Sequence, residues 1–176
     1  DSSTSRGLGD VYKRQEYEKT LITPNSPFDR YLKGDENAIS ENAKKGYRLF
    51  LKLGCQTCHT GPAMGGQSFE YADLKGDFFG GRAKTNDDNG LMNFTKKETD
   101  KHRFRVPTLR NVELTWPYMH DASAQTLEEA ITKMYHYQLG YDKLDKTEVR
   151  LLVAFLKTLT GEYQGKPVRG EVCPAP

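Results

Sequence analysis

The chain has 176 residues, enough for one domain with its own hydrophobic core, and its formal net charge is only +2. Its 26 basic and 24 acidic residues are interspersed, which argues against a nucleic-acid-binding protein. No apolar run approaches the roughly 18 residues that span a membrane. We therefore expect a soluble, moderately polar domain with neither a nucleic-acid partner nor a membrane span.

The N-terminal region divides into two segments. Residues 1–15 are Ser- and Gly-rich at the start, and Asp10 to Gln15 resembles the translation of a sequencing adapter. We interpret residues 1–15 as a non-native tail, with an ordinary disordered tail as the alternative. Residues 16–38, interrupted by Pro24 and Pro27, are expected to be a linker.

The first strongly patterned helix begins after Ser40, which is a suitable N-cap, and its apolar stripe includes Phe50. Gly46 lies four residues before Phe50 and leaves a bare backbone patch that favours close crossing by another helix. The candidate partner is the apolar helix predicted at residues 146–159. We expect the domain to span residues 39–162, followed by a tail at 163–176 in which Cys173 is a free thiol.

A C-x-x-C-H motif follows this helix at Cys55, Cys58 and His59. Cysteines three residues apart lie on one face of a helical turn, so both sulfurs can bond one edge of a porphyrin, with the histidine as proximal iron ligand. The motif predicts covalent haem c, a large apolar group that would supplement a chain with only 36% hydrophobic residues. A zinc site or a thioredoxin-like redox pair is the alternative.

Residues 60–115 are rich in glycine, so we expect turns and a short hairpin that wrap the haem without forming a second core. Residues 96–105 carry a dense run of mixed charge, interpreted as a solvated surface or, alternatively, a docking patch for a redox protein.

The next helix is predicted from a capping box at Thr126 and Glu129. Its apolar stripe, formed by Leu127, Ile131 and Met134, is expected to face inward. Met134 therefore competes with the other methionines as the sixth iron ligand. Those three are Met64, close to the motif, Met92, in the polar tract, and Met119, beside His120.

Several ordered motifs resemble the C-terminal domain of bacterial dihaem cytochrome c peroxidases, in the superfamily that also contains MauG. The longest is F-R-V-P-T-L-R-N-V-E-L-T-W-P-Y-M-H-D at residues 104–121, followed by T-L-E-E-A at 126–130. Others are T-P-N-S-P-F at 23–28, the glycine pair at 65–66 and V-A-F-L-K-T-L at 153–159. The resemblance covers roughly residues 16–162.

The resemblance implies an all-α, class I cytochrome c-like domain with long irregular loops around the haem. In that family the matching domain holds a high-potential haem with His/Met ligation, here His59 and Met134, with His120 as the main rival ligand. A small cytochrome c or cupredoxin donates the electron, which passes to an N-terminal haem that reduces hydrogen peroxide to water. Residues 16–38 would be the linker from that other haem domain.

The resemblance also implies a calcium ion between the two domains, bound through backbone carbonyls at Thr115 and Pro117. Trp116 and His120 would lie near the domain interface, although a packed aromatic and a hydrogen-bonded loop histidine describe them equally well. Arg105 and Arg110 are candidate partners of the haem propionates, although solvent-facing salt bridges are the commoner role of arginines. The family address is periplasmic, where haem is attached to C-x-x-C-H, and many members form homodimers.

Two alternatives remain from the sequence. One is a free-standing monohaem electron carrier without peroxidase activity, because the chain contains a single C-x-x-C-H motif. The other is an oxidase or sensor with an open iron coordination position, in which Met134 is not a ligand.

Overall fold

The computed structural model describes residues 13–14, 16–17 and 20–170. Most of the expected N-terminal tail, and Cys173, lie outside these residues. Helices carry the core, as predicted: α1 (Pro27–Leu32), α2 (Glu41–Lys52), α3 (Met92–Thr95), α4 (Leu127–Tyr137) and α5 (Lys146–Leu156). Single 3-10 turns lie at Cys55–Thr57, Asn86–Asn89, Glu98–Asp100, Val112–Leu114 and Lys157–Leu159. In the part of the chain that is described, no helix is long and apolar enough to cross a bilayer.

Helices α2 and α5 cross in close contact at Gly46. A Cβ atom at this position would lie 1.9 Å from the carbonyl oxygen of Leu151 and 2.9 Å from Cβ of Phe155. Only glycine permits this approach, and the predicted crossing is confirmed. Ser40 also caps α2 as expected, since its hydroxyl accepts a hydrogen bond from the Ala43 amide at 3.2 Å.

The main core is built around Phe155 of α5, which is fully buried. The rings of Phe28, Tyr47 and Phe50 surround it, with centroids 5.1 to 5.3 Å away. Edge-on and tilted contacts of this kind stabilise aromatic clusters beyond their apolar area. The core thereby joins α1, α2 and α5, and α2 leads directly from it to the C-x-x-C-H motif.

A second, smaller core forms between residues 69 and 121, contrary to our expectation of a simple wrap. Strand β1 (Phe69–Tyr71) pairs antiparallel with β2 (Arg103–Arg105) and closes the tract between them. Within the tract, Phe79 is 1% exposed, and its ring centroid lies 4.2 Å from that of His102. Phenylalanine rings therefore pack across the loops against the rings of His102 and His120. A further short pair, β3 (Glu162–Tyr163) with β4 (Lys166–Pro167), follows α5.

Helix α4 is capped by Thr126, whose hydroxyl accepts a hydrogen bond from the Glu129 amide. The reciprocal bond of a capping box is absent, because the Glu129 carboxylate accepts from the Gln125 amide instead. Leu127 is 2% exposed and Ile131 packs at the edge of the core, but Met134 is 37% exposed. Met134 therefore lies where the stripe of α4 leaves the core, at the surface of the polypeptide.

Candidate haem-attachment site

The C-x-x-C-H motif lies in a tight turn that begins where α2 ends. Gly54 has φ 79°, a left-handed conformation that glycine adopts without strain, and it redirects the chain into the 3-10 turn Cys55–Thr57. The His59 amide donates to the Cys55 carbonyl at 3.0 Å, so the turn continues to the histidine. Cys55, Cys58 and His59 therefore project from one side of a single helical turn.

The two thiols are free and half-buried. Burial raises the pKa of Cys55 to about 11, and burial also raises the pKa of Cys58. Both groups are consequently protonated at neutral pH, whereas a redox-active C-x-x-C pair needs a lowered thiol pKa. Among the described residues, no group of three His, Cys, Asp or Glu side chains could hold a metal ion. These features argue against the zinc and thioredoxin-like alternatives.

The imidazole of His59 is oriented by backbone carbonyls. Its Nδ1 lies 3.3 Å from the carbonyl oxygen of Met64, and the Pro107 carbonyl also hydrogen-bonds the ring. Since carbonyls only accept hydrogen bonds, Nδ1 carries the proton and the lone pair on Nε2 remains for a metal. Burial lowers the pKa of His59, although the two carbonyls oppose this effect. The ring is thus held neutral in the tautomer that an iron ligand requires.

These residues fit haem c. Cys55 and Cys58 would form the two thioether bonds, and Nε2 of His59 would ligate the iron. The fit rests on the free thiols of one turn together with the engaged Nδ1 of the following histidine.

The structure separates the candidate sixth ligands. Met64 is 9% exposed within the main core, and its carbonyl lies on the Nδ1 side of His59, opposite the metal-binding nitrogen. His120 already directs its Nε2 to the Asp88 carboxylate at 2.7 Å. The Met134 side chain is exposed at the surface of α4 and is therefore accessible to a bound haem. Met134 as axial ligand stays a prediction, and the hydrogen bond at His120 argues against its rival.

His120 belongs to an ionic cluster that the sequence did not indicate. Asp88, only 1% exposed, accepts two hydrogen bonds from Arg82, at 2.6 and 3.0 Å, and one from the Thr85 amide at 2.7 Å. The His120 side chain is 16% exposed and its ring stacks on Phe104 with centroids 4.3 Å apart. A fully bonded buried carboxylate fixes the two loops that carry its partners.

The hydrogen bonds from Arg82 hold the pKa of Asp88 well below its usual range. Burial opposes this effect, whereas the bonds from His120 and Thr85 reinforce it. The only signal in the sequence was the T-x-x-D spacing of Thr85 and Asp88, which forms a reciprocal capping box around Asn86–Asn89. His120 is therefore a packed, hydrogen-bonded loop histidine in this structure.

Arg110 forms a salt bridge within the protein, the alternative to a propionate contact. Its guanidinium donates to both Asp29 carboxylate oxygens, at 2.7 and 2.9 Å, and to the Ser26 hydroxyl and the Pro62 carbonyl. These bonds tie α1 to the loop that follows His59. With its donors committed in this way, Arg110 is a structural clamp rather than a candidate partner for a propionate.

The residues expected to bind calcium lie in the loop after the turn Val112–Leu114. Thr115 and Pro117 are exposed, and Trp116 between them is half-buried. Calcium binding at these carbonyls, and an interface role for Trp116, stay predictions.

Comparisons with known proteins agree with a cytochrome c-like fold. The cytochrome c family profile matches residues 43–160. The chain is 52% identical over 148 residues to the cytochrome c peroxidase Ccp of Escherichia coli K12, and 47% identical over 147 residues to the cytochrome c551 peroxidase of Nitrosomonas europaea. A solved MauG-like protein associated with microbial copper homeostasis is 31% identical, with a TM-score of 0.64 over 78% of this chain.

The matched region is only part of each of these proteins. The alignments cover 84% of this chain in both peroxidases, but 31% of the first and 42% of the second. In the MauG-like structure the match covers 52% of the solved chain. The chain therefore spans about half the length of these relatives or less.

Proposed function

Because this chain belongs to the cytochrome c family, in the superfamily of the cytochrome c peroxidases and MauG, we propose that it is an electron-transferring haem domain of a peroxidase. The observation that carries the proposal is the orientation of His59. The imidazole Nδ1 lies 3.3 Å from the Met64 carbonyl oxygen, which leaves the Nε2 lone pair for a metal on a residue in the same helical turn as Cys55 and Cys58.

Each residue of the site has a defined task in this proposal. Cys55 and Cys58 would attach the cofactor, and His59 and Met134 would be the two iron ligands. Haem c with His/Met ligation supplies reversible one-electron transfer at high potential. The Met64 carbonyl keeps the imidazole from rotating, and α2, packed through Gly46 on α5, holds the whole turn.

In the longer protein, electrons from a small donor cytochrome c or cupredoxin would pass through this domain to a second haem. That haem would reduce hydrogen peroxide to water. The protein would act in the periplasm, with calcium at Thr115 and Pro117 between the two haem domains. The identity to two cytochrome c peroxidases supports this assignment.

A monohaem electron carrier is the second candidate, favoured by the single C-x-x-C-H motif of this chain. Both candidates require an iron closed by two protein ligands. They differ in whether the natural protein has a second haem, which the haem content of the protein purified from its source would decide.

The test is an optical spectrum of the chain matured with covalent haem. We expect the reduced protein not to bind carbon monoxide and the oxidised protein not to consume peroxide. A pyridine haemochrome assay should report one haem per chain, attached through two thioethers. If the reduced protein binds carbon monoxide and the oxidised protein consumes peroxide, the protein is instead an oxidase or sensor with an open iron coordination position.

A further inference from the structure

We propose that a groove beside His59 is the docking surface for a small acidic electron-donor protein. This inference rests on the proposed electron-transfer function and adds the surface through which electrons enter. The groove has a volume of about 230 Å³ and lies between α1, α2 and the loop after the C-x-x-C-H motif. Its lining includes Leu32, Leu51, Gln56, His59 and Pro62.

The mouth of the groove is apolar and open to solvent. Leu32 of α1 is 59% exposed and Leu51 of α2 is 38% exposed, and both line the same groove as His59. Single exposed leucines are ordinary on protein surfaces, but two at one concavity beside a candidate metal ligand form a continuous apolar contact site. Redox partners bind transiently through small patches of this kind.

The rim of the groove is positively charged. Lys33 directly follows Leu32, and Arg48 lies one helical turn before Leu51 on the same side of α2. Lys52 in turn lies one helical turn after Arg48. All three are exposed, and none has a carboxylate within 4.0 Å among the residues that the structure describes.

The carboxylates close to the groove are already paired with other cations. Asp29 binds Arg110 at 2.7 Å, whereas Glu36 and Glu41 both contact Lys44, at 3.6 and 2.8 Å. Asp35 accepts a hydrogen bond from the Asn37 amide and has no cation partner among the described residues, so the three cations Lys33, Arg48 and Lys52 leave an excess of positive charge around the groove. A partner with an acidic patch would be steered toward it, and its apolar centre would meet the two leucines.

His59 gives the groove a direct route to the redox centre. With haem bound through His59, the donor would lose one electron and the haem would gain it, and no bond would form or break. The imidazole itself separates the docked surface from the iron.

The surface around the exposed Phe94 lacks the positive rim of the groove. Phe94 of α3 is 86% exposed, but the segment that follows it carries ion pairs of both signs, Lys101 with Glu98 and Arg103 with Asp100. Lys97 of this segment and Lys143, in the connection between α4 and α5, supply a matched control. Reversal of charge at Lys97 and Lys143, both exposed, changes the net charge as much as reversal at Arg48 and Lys52.

The kinetic experiment mixes the oxidised, haem-loaded chain with a reduced acidic plastocyanin or a reduced basic mitochondrial cytochrome c, at 20 and 200 mM salt. We expect the acidic donor to react about 10-fold faster at low salt than at high salt. The double variant Arg48→Glu/Lys52→Glu should lose at least about 10-fold at low salt and most of the salt dependence. The variant Lys97→Glu/Lys143→Glu should stay within about twofold of the wild type. Equal slowing in both variants, or a faster basic donor, would overturn the proposal.

Binding is mapped separately by NMR on the isotope-labelled, haem-loaded chain titrated with the same plastocyanin. Shifts confined to the amides of Leu32, Leu51, Gln56 and Thr60 support the groove even if no electron is transferred, in which case only the proposed function fails. Shifts centred on residues 92–101 with normal electron transfer overturn the docking surface and leave the function intact. A dimer seen in sedimentation that the variant Arg48→Glu/Lys52→Glu disrupts would also overturn the proposed donor-docking surface, because a second copy would then occupy the groove.

Discussion

The Nδ1 atom of His59 lies 3.3 Å from the carbonyl oxygen of Met64, whose own side chain is buried in the main core. The orientation of the candidate iron ligand is thus set by a residue that the core holds in place. Met64 also has φ 50°, so its backbone conformation depends on the packing around it.

The first prediction concerns this residue. Met64→Ala should lower the free energy of unfolding by about 2 to 4 kcal/mol, because it leaves a cavity in the core. The methionine-to-iron absorption band of the oxidised, haem-loaded protein should persist, since Met64 lies on the wrong side of His59 to bind iron. Urea unfolding and the optical spectrum check the two parts. Met64→Leu, which keeps the volume, should cost less than about 1.5 kcal/mol.

Met134→Ala should give the opposite pattern. The side chain is 37% exposed, so we expect less than about 1 kcal/mol of lost stability in the haem-free chain. In the haem-loaded protein the methionine-to-iron band should vanish, carbon monoxide should bind the reduced form, and the potential should change. Met92→Ala is the control. A band that survives Met134→Ala would show that another residue is the axial ligand.

Gly46→Ala should destabilise the chain severely. The new Cβ would meet the Leu151 carbonyl, so α2 and α5 must separate, at a cost of about 3 kcal/mol. Thermal unfolding measures the effect. Gly76→Ala is a milder counterpart, because its Cβ would lie 3.3 Å from the Tyr137 ring, which can move. If both variants unfold at the same temperature, the close crossing is not what holds the two helices.

Asp88→Asn should lower the Tm at pH 7 by about 5 °C, because it removes the charge that Arg82 and His120 bind. The difference from the wild type should depend on pH. Since the pKa of Asp88 is lowered on folding from an ordinary value near 3.8, its contribution is complete above that value. The contribution declines as the pH falls below it.

Thermal scans of the wild type and of Asp88→Asn at pH 7 and pH 3 measure how far the difference in Tm shrinks as the pH falls. A difference in Tm that is independent of pH would mean that shape, not charge, is what Asp88 contributes.

The two motif cysteines should differ in reactivity before haem attachment. Burial raises the pKa of Cys55 to about 11, so only about one thiol in a thousand is ionised at pH 8. The pKa of Cys58 is also raised, but this thiol is less deeply buried. Iodoacetamide should therefore modify Cys58 first, as followed by mass spectrometry in a Cys173→Ser background. Equal rates at the two cysteines would contradict the burial of Cys55.

Local patterns predicted the parts of the fold that depend on a few neighbouring residues. The cap at Ser40, the crossing at Gly46 and the turn from Cys55 to His59 each follow from spacing and residue type alone. Met134 shows the limit of such patterns, because a helical stripe gives a direction but not the point at which the core ends.

The ionic cluster was not predictable for a different reason. Asp88 is a polar residue in a turn-rich stretch, and its burial depends on Arg82, on His120 and on rings scattered through the loops. No periodic signal records contacts of that kind. The T-x-x-D spacing at Thr85 indicated a turn, not a buried charge.

The pairing of β1 with β2 has a consequence for variation in the chain. Phe69 lies opposite Arg105, so the tract at residues 72–102 starts and ends at one point. Insertions at its exposed positions, such as those at residues 94–99, can therefore accumulate among related proteins without displacing the chain on either side. Changes at Phe79 or Asp88 would instead disturb the buried contacts that hold the tract to the rest of the protein.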